Sequence, residues 1–345
     1  MYTVAIYSPQ TTSNSSPNRL HGMVTFSRPI KDNTLHTIPT PTIHCNCIYL
    51  IIMSSTIAII FSPYHVGLRD HRVGNGPHRI RSLGIVKELE ALGLTVNIHE
   101  IKPVDDFEGE IGRSFEILRR TSTAVSDAVA NNSFPLILSG NCMASVGVAC
   151  GLKIKDLGFI YFDAHDDLDS PDVNENGYFD GMGLSMLRGE SWKTLMKTVP
   201  GFEPFDYNRF IYCGLRDQSD VQRRRVIDAG MQSIWGETSR KVDFAAELNA
   251  QLGEKSYSPA LVHLDLDVLD DSYGKVNDYP SPGGMLEDDL IACMDLVPKK
   301  SVPKSLTVCS FDPNAGDGDR IAGIGIRAII TFVKSLVESG VLKAH

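Results

Sequence analysis

Two short stretches concentrate the residues that can do chemistry. In "IYFDAHDDLDSPD", residues 160–172, Asp163, Asp166, Asp167 and Asp169 crowd around His165 directly after an apolar run. In "PALVHLDLDVLDDS", residues 259–272, Asp265 and Asp267 follow a second such run. A spacing of two puts Asp163 with His165, and Asp265 with Asp267, on the same side of an extended segment. Carboxylates gathered in one pocket repel and raise each other's pKa values. Two divalent cations would cancel the roughly four charges of Asp163, Asp167, Asp265 and Asp267, and hard oxygen donors with one imidazole suit Mn²⁺ first, ahead of Mg²⁺, Fe²⁺ or Zn²⁺. Water bridging such a pair ionises near neutral pH and attacks an electrophilic carbon. Either spacing alone is commonly a turn or a helix cap. Their joint occurrence after two buried-looking runs carries the metal reading.

The elements that must position these residues alternate between strand and helix from residue 56 onward. "TIAIIF", "LTVNIHEI", "FPLILSG", "GFIYFDAH", "RFIYCGLRD", "PALVHLDLDVLD" and "SLTVCSFDP" read as strands. "RIRSLGIVKELEALG", "SFEILRRTSTAVSDAVANN", "CMASVGVACGL" and "VQRRRVIDAG" read as helices, the first with Ile80, Leu83, Val86, Leu89 and Leu92 on one side. The strand cores are continuous apolar runs, the mark of a parallel sheet covered on both faces. The expected fold is one doubly wound α/β domain over residues 53–345, a mostly parallel sheet with helices on both faces. Ligands in such folds collect beyond the carboxyl ends of the strands, where Ser139-Gly140-Asn141-Cys142, Asp163 to Asp167, Arg216-Asp217, Asp265 to Asp267 and Ser310-Phe311-Asp312 all fall.

The remaining signals set bounds. Net charge is -9 among 345 residues, which argues against nucleic acid or an anionic membrane as partner. Seven scattered cysteines make no disulfide framework and fit a reducing, cytoplasmic compartment. Residues 1–52, rich in Ser, Thr, Pro and Asn, read as a poorly ordered extension without a basic-then-apolar leader. "IYLIIMSSTIAIIF" is too short and too polar at its centre to span a bilayer.

In order along residues 56–335, these motifs resemble the ureohydrolase family of arginase, agmatinase and formimidoylglutamase. "VGNGPHRI" is similar to its Gly-Pro opening of the first helix, and "DAHDD" to its Asp-Ala-His-x-Asp. "YCGLRD", "HLDLDVLDDS" and "SPGGM" resemble its Gly-x-Arg-Asp strand, its second aspartate motif and its Pro-Gly-Gly. The resemblance implies that Asp163, His165, Asp167, Asp265 and Asp267 are metal ligands, with Asp163 and Asp265 bridging two Mn²⁺ ions. It implies a hydrolase of non-peptide C–N bonds in a small guanidino or amidino compound, such as a modified arginine, with a metal-bound hydroxide as nucleophile. Asp267 would help position the nucleophile and stabilise the tetrahedral intermediate. The family's usual assembly is a homo-oligomer, a trimer or hexamer.

Several positions depart from the family. Its Gly-Gly-Asp-His-Ser reads Ser139-Gly140-Asn141-Cys142-Met143 here, so Cys142 stands at the sixth ligand. As a thiolate it would bind but favour softer ions and weaken or replace one Mn²⁺; as a neutral thiol it would simply pack. Asp180, between Gly177 and Gly181, replaces the acid–base histidine and would shuttle protons if its pKa is raised. Ser310 replaces the glutamate that grips a guanidinium, and a serine cannot form that two-pronged charged pair. Asp169, Asn176 and Ser219 fall with Ser310 at the substrate end. His65 and His71 follow the first strand and are candidates to line the site, His263 reads as core or support, and Arg223 to Arg225 as a solvated helix face. Two other readings stay open: a decayed arginase-fold binding or scaffold protein, and a metal-dependent hydrolase of an amide or formyl compound. Decay is opposed by the carboxylate cluster itself, which costs stability without metal.

Overall fold

The structure, a computed structural model, describes residues 54–105 and 108–345, so the extension expected over residues 1–52 lies outside the described residues. The apolar runs become strands. In chain order these are β1 (Thr56–Ser62), β2 (Tyr64–His65), β3 (Leu68–Arg69), β4 (Thr95–Glu100), β5 (Ser133–Ser139), β6 (Gly158–Phe162), β7 (Phe210–Leu215), β8 (Gln232–Trp235), β9 (Ala260–Asp265) and β10 (Pro303–Cys309). Strands β2 and β3 pair as a small antiparallel hairpin. The other eight form one sheet in the order β4-β1-β5-β10-β9-β6-β7-β8. Every pairing in that sheet is parallel, so the expected mostly parallel sheet is parallel throughout among the described residues.

The helices are α1 (Gly76–Ser82), α2 (Ile85–Ala91), α3 (Glu110–Ala130), α4 (Ala144–Leu152), α5 (Gly183–Leu187), α6 (Lys193–Met196), α7 (Asp220–Asp228), α8 (Phe244–Glu254), α9 (Glu287–Lys300) and α10 (Gly318–Glu338). They cover both faces of the inner strands, which is why β1, β5, β6, β7 and β9 are buried at nearly every position rather than at alternate ones, while edge strand β4 is mostly exposed. Ile57, Ile59 and Phe61 of β1 enter one core with Ile80, Leu89, Leu248, Leu290 and Phe332. Ile60 between them enters the opposite core with Phe115, Leu118, Val146 and Val148.

Two elements differ from the sequence reading. The helix expected through Ile80 and Leu92 is broken into α1 and α2 at Gly84, whose φ of 99° lies in the left-handed region that glycine tolerates. Leu83, assigned to the apolar side, is consequently 40% exposed. Edge strand β8 has only one fully buried residue, Ile234, and offers no apolar run to read.

The sheet brings the carboxyl ends of its four central strands side by side. Beyond β5 come Gly140 to Cys142, beyond β10 Ser310, beyond β6 Asp163, and Asp265 ends β9. Gly140 permits this crowding, because a Cβ there would lie 2.1 Å from the Tyr64 carbonyl oxygen and 2.9 Å from the Gly74 backbone.

Candidate metal centre

A cleft of about 200 Å³ opens over those strand ends. Its wall includes Cys142, His165, Asp167, Asp180, Asp265 and Asp267, together with Asp169, Asn176 and Ser310. Of the expected site residues, Asp163 lies beneath this wall, fully buried. Ser219 is elsewhere: it caps α7, its hydroxyl accepting from the Gln222 amide in a capping box. Gln222, one turn along, does reach the cleft. His65 lines the cleft and is buried, whereas His71 is exposed.

Each aspartate is held by the backbone of its own turn. The Asp163 Oδ1 accepts from the His165 amide at 2.7 Å, and the Asp265 Oδ1 from the Asp267 amide at 2.7 Å. Asx turns of this kind explain the two-residue spacing, and each leaves the second oxygen pointing away from its own turn. The Asp163 Oδ2 is buried with no hydrogen-bond partner. Asp167 sits at φ 51°, a left-handed conformation that aspartate tolerates better than most residues.

These donors fall into overlapping groups, each with its ligand atoms within 4.8 Å of one another: Asp163, His165 and Asp267; Cys142, Asp163 and Asp167; and Cys142, His263, Asp265 and Cys309. Asp163 is common to the first two. An orphaned carboxylate oxygen in a fully buried position, shared by two donor groups, is what a cation pair would satisfy. The residues present therefore fit a binuclear centre.

The electrostatics without a cation show the same strain. Burial, and then the charges of Asp267 and Asp163, push the Asp265 carboxyl well up. Burial, with Asp163 and Asp180, does the same to Asp167. Asp267 goes the other way: burial opposes its charge, but His165, 3.3 Å from its Oδ2, and the Asn277 Nδ2, donating at 3.0 Å, hold it ionised well below the usual range. Burial opposes charge on His165 as well, and Asp267, Asp163 and Asp217 outweigh it. Asn277, which also donates to the Ser310 carbonyl, was not anticipated from sequence. It lies beyond the motif, at a position with no charge and no spacing signal.

Asp180 has a structural role beside its place in the cleft wall. Its Oδ2 accepts from the Asn141 side chain and from the Cys142 amide, and its Oδ1 from the Met143 amide at 2.8 Å. It thus ties the loop that carries Cys142. Burial pushes its pKa up to about 6 against these hydrogen bonds. The Ser310 hydroxyl lies 2.9 Å from the Cys142 sulfur, and its backbone is left-handed at φ 60°.

Arg225 corrects the reading of residues 223–225 as a solvated face. It donates to Asp169 at 2.7 Å and lies 3.5 Å from Asp166, so it neutralises two aspartates that also line the cleft. Arg223 stacks over Trp235 at 3.9 Å. Replacing Arg225 with methionine should destabilise the fold by about 2 kcal/mol, because it strands two buried carboxylates. Thermal melting checks this; an unchanged midpoint would return Arg225 to the surface role.

A fully parallel, doubly wound sheet carries paired Asp-x-His and Asp-x-Asp turns at its central carboxyl edge, the place where open α/β folds collect their ligands. Residues 55–333 match the arginase family, and the chain belongs to that family, whose members are hydrolases acting on C–N bonds in linear amidines. An arginase of Staphylococcus aureus (strain MRSA252) is 28% identical over 227 residues, covering 61% of this chain and 74% of that protein. An arginase of Eremothecium gossypii is 24% identical over 297 residues, 79% of this chain and 73% of that protein. The crystal structure of arginase from Bacillus subtilis superposes with a TM-score of 0.72 at 21% identity, covering 81% of this chain and 98% of that one. No helix among the described residues is long and apolar enough to cross a membrane.

Proposed function

We propose that this protein is a metal-dependent hydrolase of a small guanidino or amidino compound. The observation that carries the reading is Asp163, which belongs to two donor groups and whose Oδ2 is buried and unpartnered. Asp163, His165 and Asp267 would hold one ion, and Asp163, Asp167, Asp265 and Cys142 would frame the place of the other. When bound, such a pair supplies an ionised water and polarises the electrophilic carbon.

The chain's own residues do the rest. Asp267, kept ionised by His165 and Asn277, accepts a proton-bearing nucleophile and fixes its direction. Asp180, with its pKa at about 6, is poised to exchange a proton with the leaving amine near neutral pH. Asp169, Asn176 and Ser310 also line the cleft, and the rest of the substrate would lie against them. His65, also in the cleft wall, is kept neutral by burial and by Arg72, with its pKa pushed down to about 4.

Ser310 favours a second reading within the same chemistry. It puts a hydroxyl where a guanidinium would need a carboxylate, so an amide or formyl compound also fits. The test is to load the full chain with Mn²⁺ and, separately, Zn²⁺, then assay guanidino, amidino, formamido and amide panels for released urea, ammonia or amine. Turnover of amidines supports the leading reading, and turnover of formyl or amide compounds alone supports the second. Full metal occupancy with no turnover in any panel overturns both. Size-exclusion with light scattering on the same sample reads the proposed trimer or hexamer.

Cys142 lines the cleft, so Cys142→His should place an imidazole beside Asp163 and Asp167. Mn²⁺ affinity, read by calorimetric titration, is expected to rise at least tenfold, since a nitrogen donor replaces a soft, proton-bearing sulfur. An unchanged affinity would mean that position 142 holds no metal.

A further inference from the structure

Behind the cleft wall lies a donor set unlike the carboxylate cluster. Cys142 and Asp265 reach the cleft; His263 and Cys309 stand directly behind them on β9 and β10, with 0% and 2% exposure. Strand register explains the meeting: Cys309 pairs with Asp265 and Thr307 with His263, so the neighbouring strands deliver both pairs to one place. We infer that Cys142, Cys309, His263 and Asp265 form a four-coordinate site for a thiophilic divalent ion, zinc before manganese.

The separations support it. A tetrahedral zinc with sulfurs at about 2.3 Å and an imidazole nitrogen at about 2.0–2.1 Å needs about 3.8 Å between sulfurs and about 3.5 Å from sulfur to nitrogen. The Cys142 and Cys309 sulfurs are 3.7 Å apart, and the Cys309 sulfur is 3.7 Å from the His263 Nε2. The Cys142 sulfur and Asp265 Oδ2, at 2.7 Å, are closer than a tetrahedral edge because the thiol proton joins them in a hydrogen bond. Loss of that proton to the metal turns attraction into repulsion and opens the edge.

The imidazole is prepared for the task. The His263 Nδ1 lies 2.8 Å from the Ser145 hydroxyl, and the ring stacks on Tyr161 with centroids 4.1 Å apart. A hydrogen bond at Nδ1 fixes the ring and presents the other nitrogen as ligand, the arrangement usual behind metal-bound histidines. The unpartnered Asp163 Oδ2 is 3.5 Å from that same Nε2. A cation here would answer the orphaned oxygen as well. The route in is the cleft, through Cys142.

This site would put Cys309 and His263 in place of Asp163 and Asp167 around one of the two proposed ions, and so rests on the reading above for that ion's place. The experiment uses the full-length chain carrying Cys45→Ser and Cys47→Ser, which removes the two thiols outside the described residues. It is loaded with Zn²⁺ or Co²⁺ and examined by X-ray absorption and by cobalt optical spectra. Two sulfur neighbours at about 2.3 Å, with an intense thiolate-to-cobalt charge-transfer band, are expected. Adding Cys309→Ser should halve the sulfur count and weaken zinc binding at least tenfold. One sulfur neighbour without that substitution overturns the inference, because the ion then sits with Cys142, Asp163 and Asp167. An all-oxygen and nitrogen shell also overturns it. The absorption measurement on the chain retaining Cys309 decides the matter even if the Cys309→Ser protein does not fold. Amidine turnover is read independently, so failure of the hydrolytic reading and failure of this site are separate results.

Discussion

Replacing Asp163 with asparagine is expected to abolish hydrolysis while making the metal-free protein more stable. Asp163 is 0% exposed and belongs to two of the donor groups, so its carboxylate would serve both ions. Asparagine keeps the oxygen that accepts from the His165 amide. It replaces the charged Oδ2, 3.5 Å from the His263 Nε2, with a neutral amide group. In the metal-free chain this removes one charge from a buried set that also contains Asp167, Asp265 and Asp267, and a gain of about 1–3 kcal/mol is reasonable for relieving an unsatisfied buried charge. With metal the sign reverses. Losing a shared anionic ligand should cost one ion outright and lower turnover by about a thousandfold, equivalent to about 4 kcal/mol of transition-state stabilisation. Melting with chelator, melting with excess metal, and metal content by elemental analysis read the three effects. A metal-free variant less stable than the parent would show that Asp163 is a structural anchor instead.

The same trade explains what was legible in the sequence. The inner strands could be read because both of their faces are covered, which makes their cores apolar without interruption; β8, half-covered at the edge, could not, whereas the exposed edge strand β4 was legible only from alternating Val96, Ile98 and Glu100. The hard donors were legible because each pair is built by one turn, so Asp163 with His165 and Asp265 with Asp267 are adjacent in sequence as well as in space. Cys309 and His263 come together only through the register of β9 with β10. No spacing along the chain announces a meeting set by strand pairing. Arg225 was misread for the same reason, since its partners Asp166 and Asp169 lie more than fifty residues away. Asp180 matched a motif position, but its hydrogen bonds to the Asn141–Met143 loop depend on packing that the motif does not contain.

The second large effect is on pH dependence, and metal should offset it. In the metal-free chain Asp265 and Asp167 have folded pKa values raised by burial and by neighbouring carboxylates, and burial raises Asp180 to about 6. A carboxyl whose folded pKa exceeds its unfolded value holds its proton longer in the fold. The stability it contributes is therefore complete below the ordinary value near 4 and is lost as pH rises through the folded value. His165 and His263 are raised too, the latter to about 10 by Cys309 and Asp163 against burial. Their contribution carries the same sign at higher pH, complete below about 6.5 and lost progressively as pH rises through the folded values, about 10 for His263. Asp267 is lowered, as are Asp217, Asp270 and Glu116, and what they contribute is lost only as pH falls below the ordinary carboxylate range. The chelated protein should thus melt highest near pH 5 and lose at least about 2 kcal/mol, several degrees in midpoint, by pH 8. Bound metal requires these groups deprotonated, so its affinity, and the stabilisation it adds by mass action, grows with pH. Melting midpoints with and without excess metal should nearly coincide at pH 5 and diverge toward pH 8, with the gap between them widest at the alkaline end. A chelated midpoint that climbs over that range would mean the carboxylates are already neutralised by the protein itself, leaving no electrostatic demand for a cation.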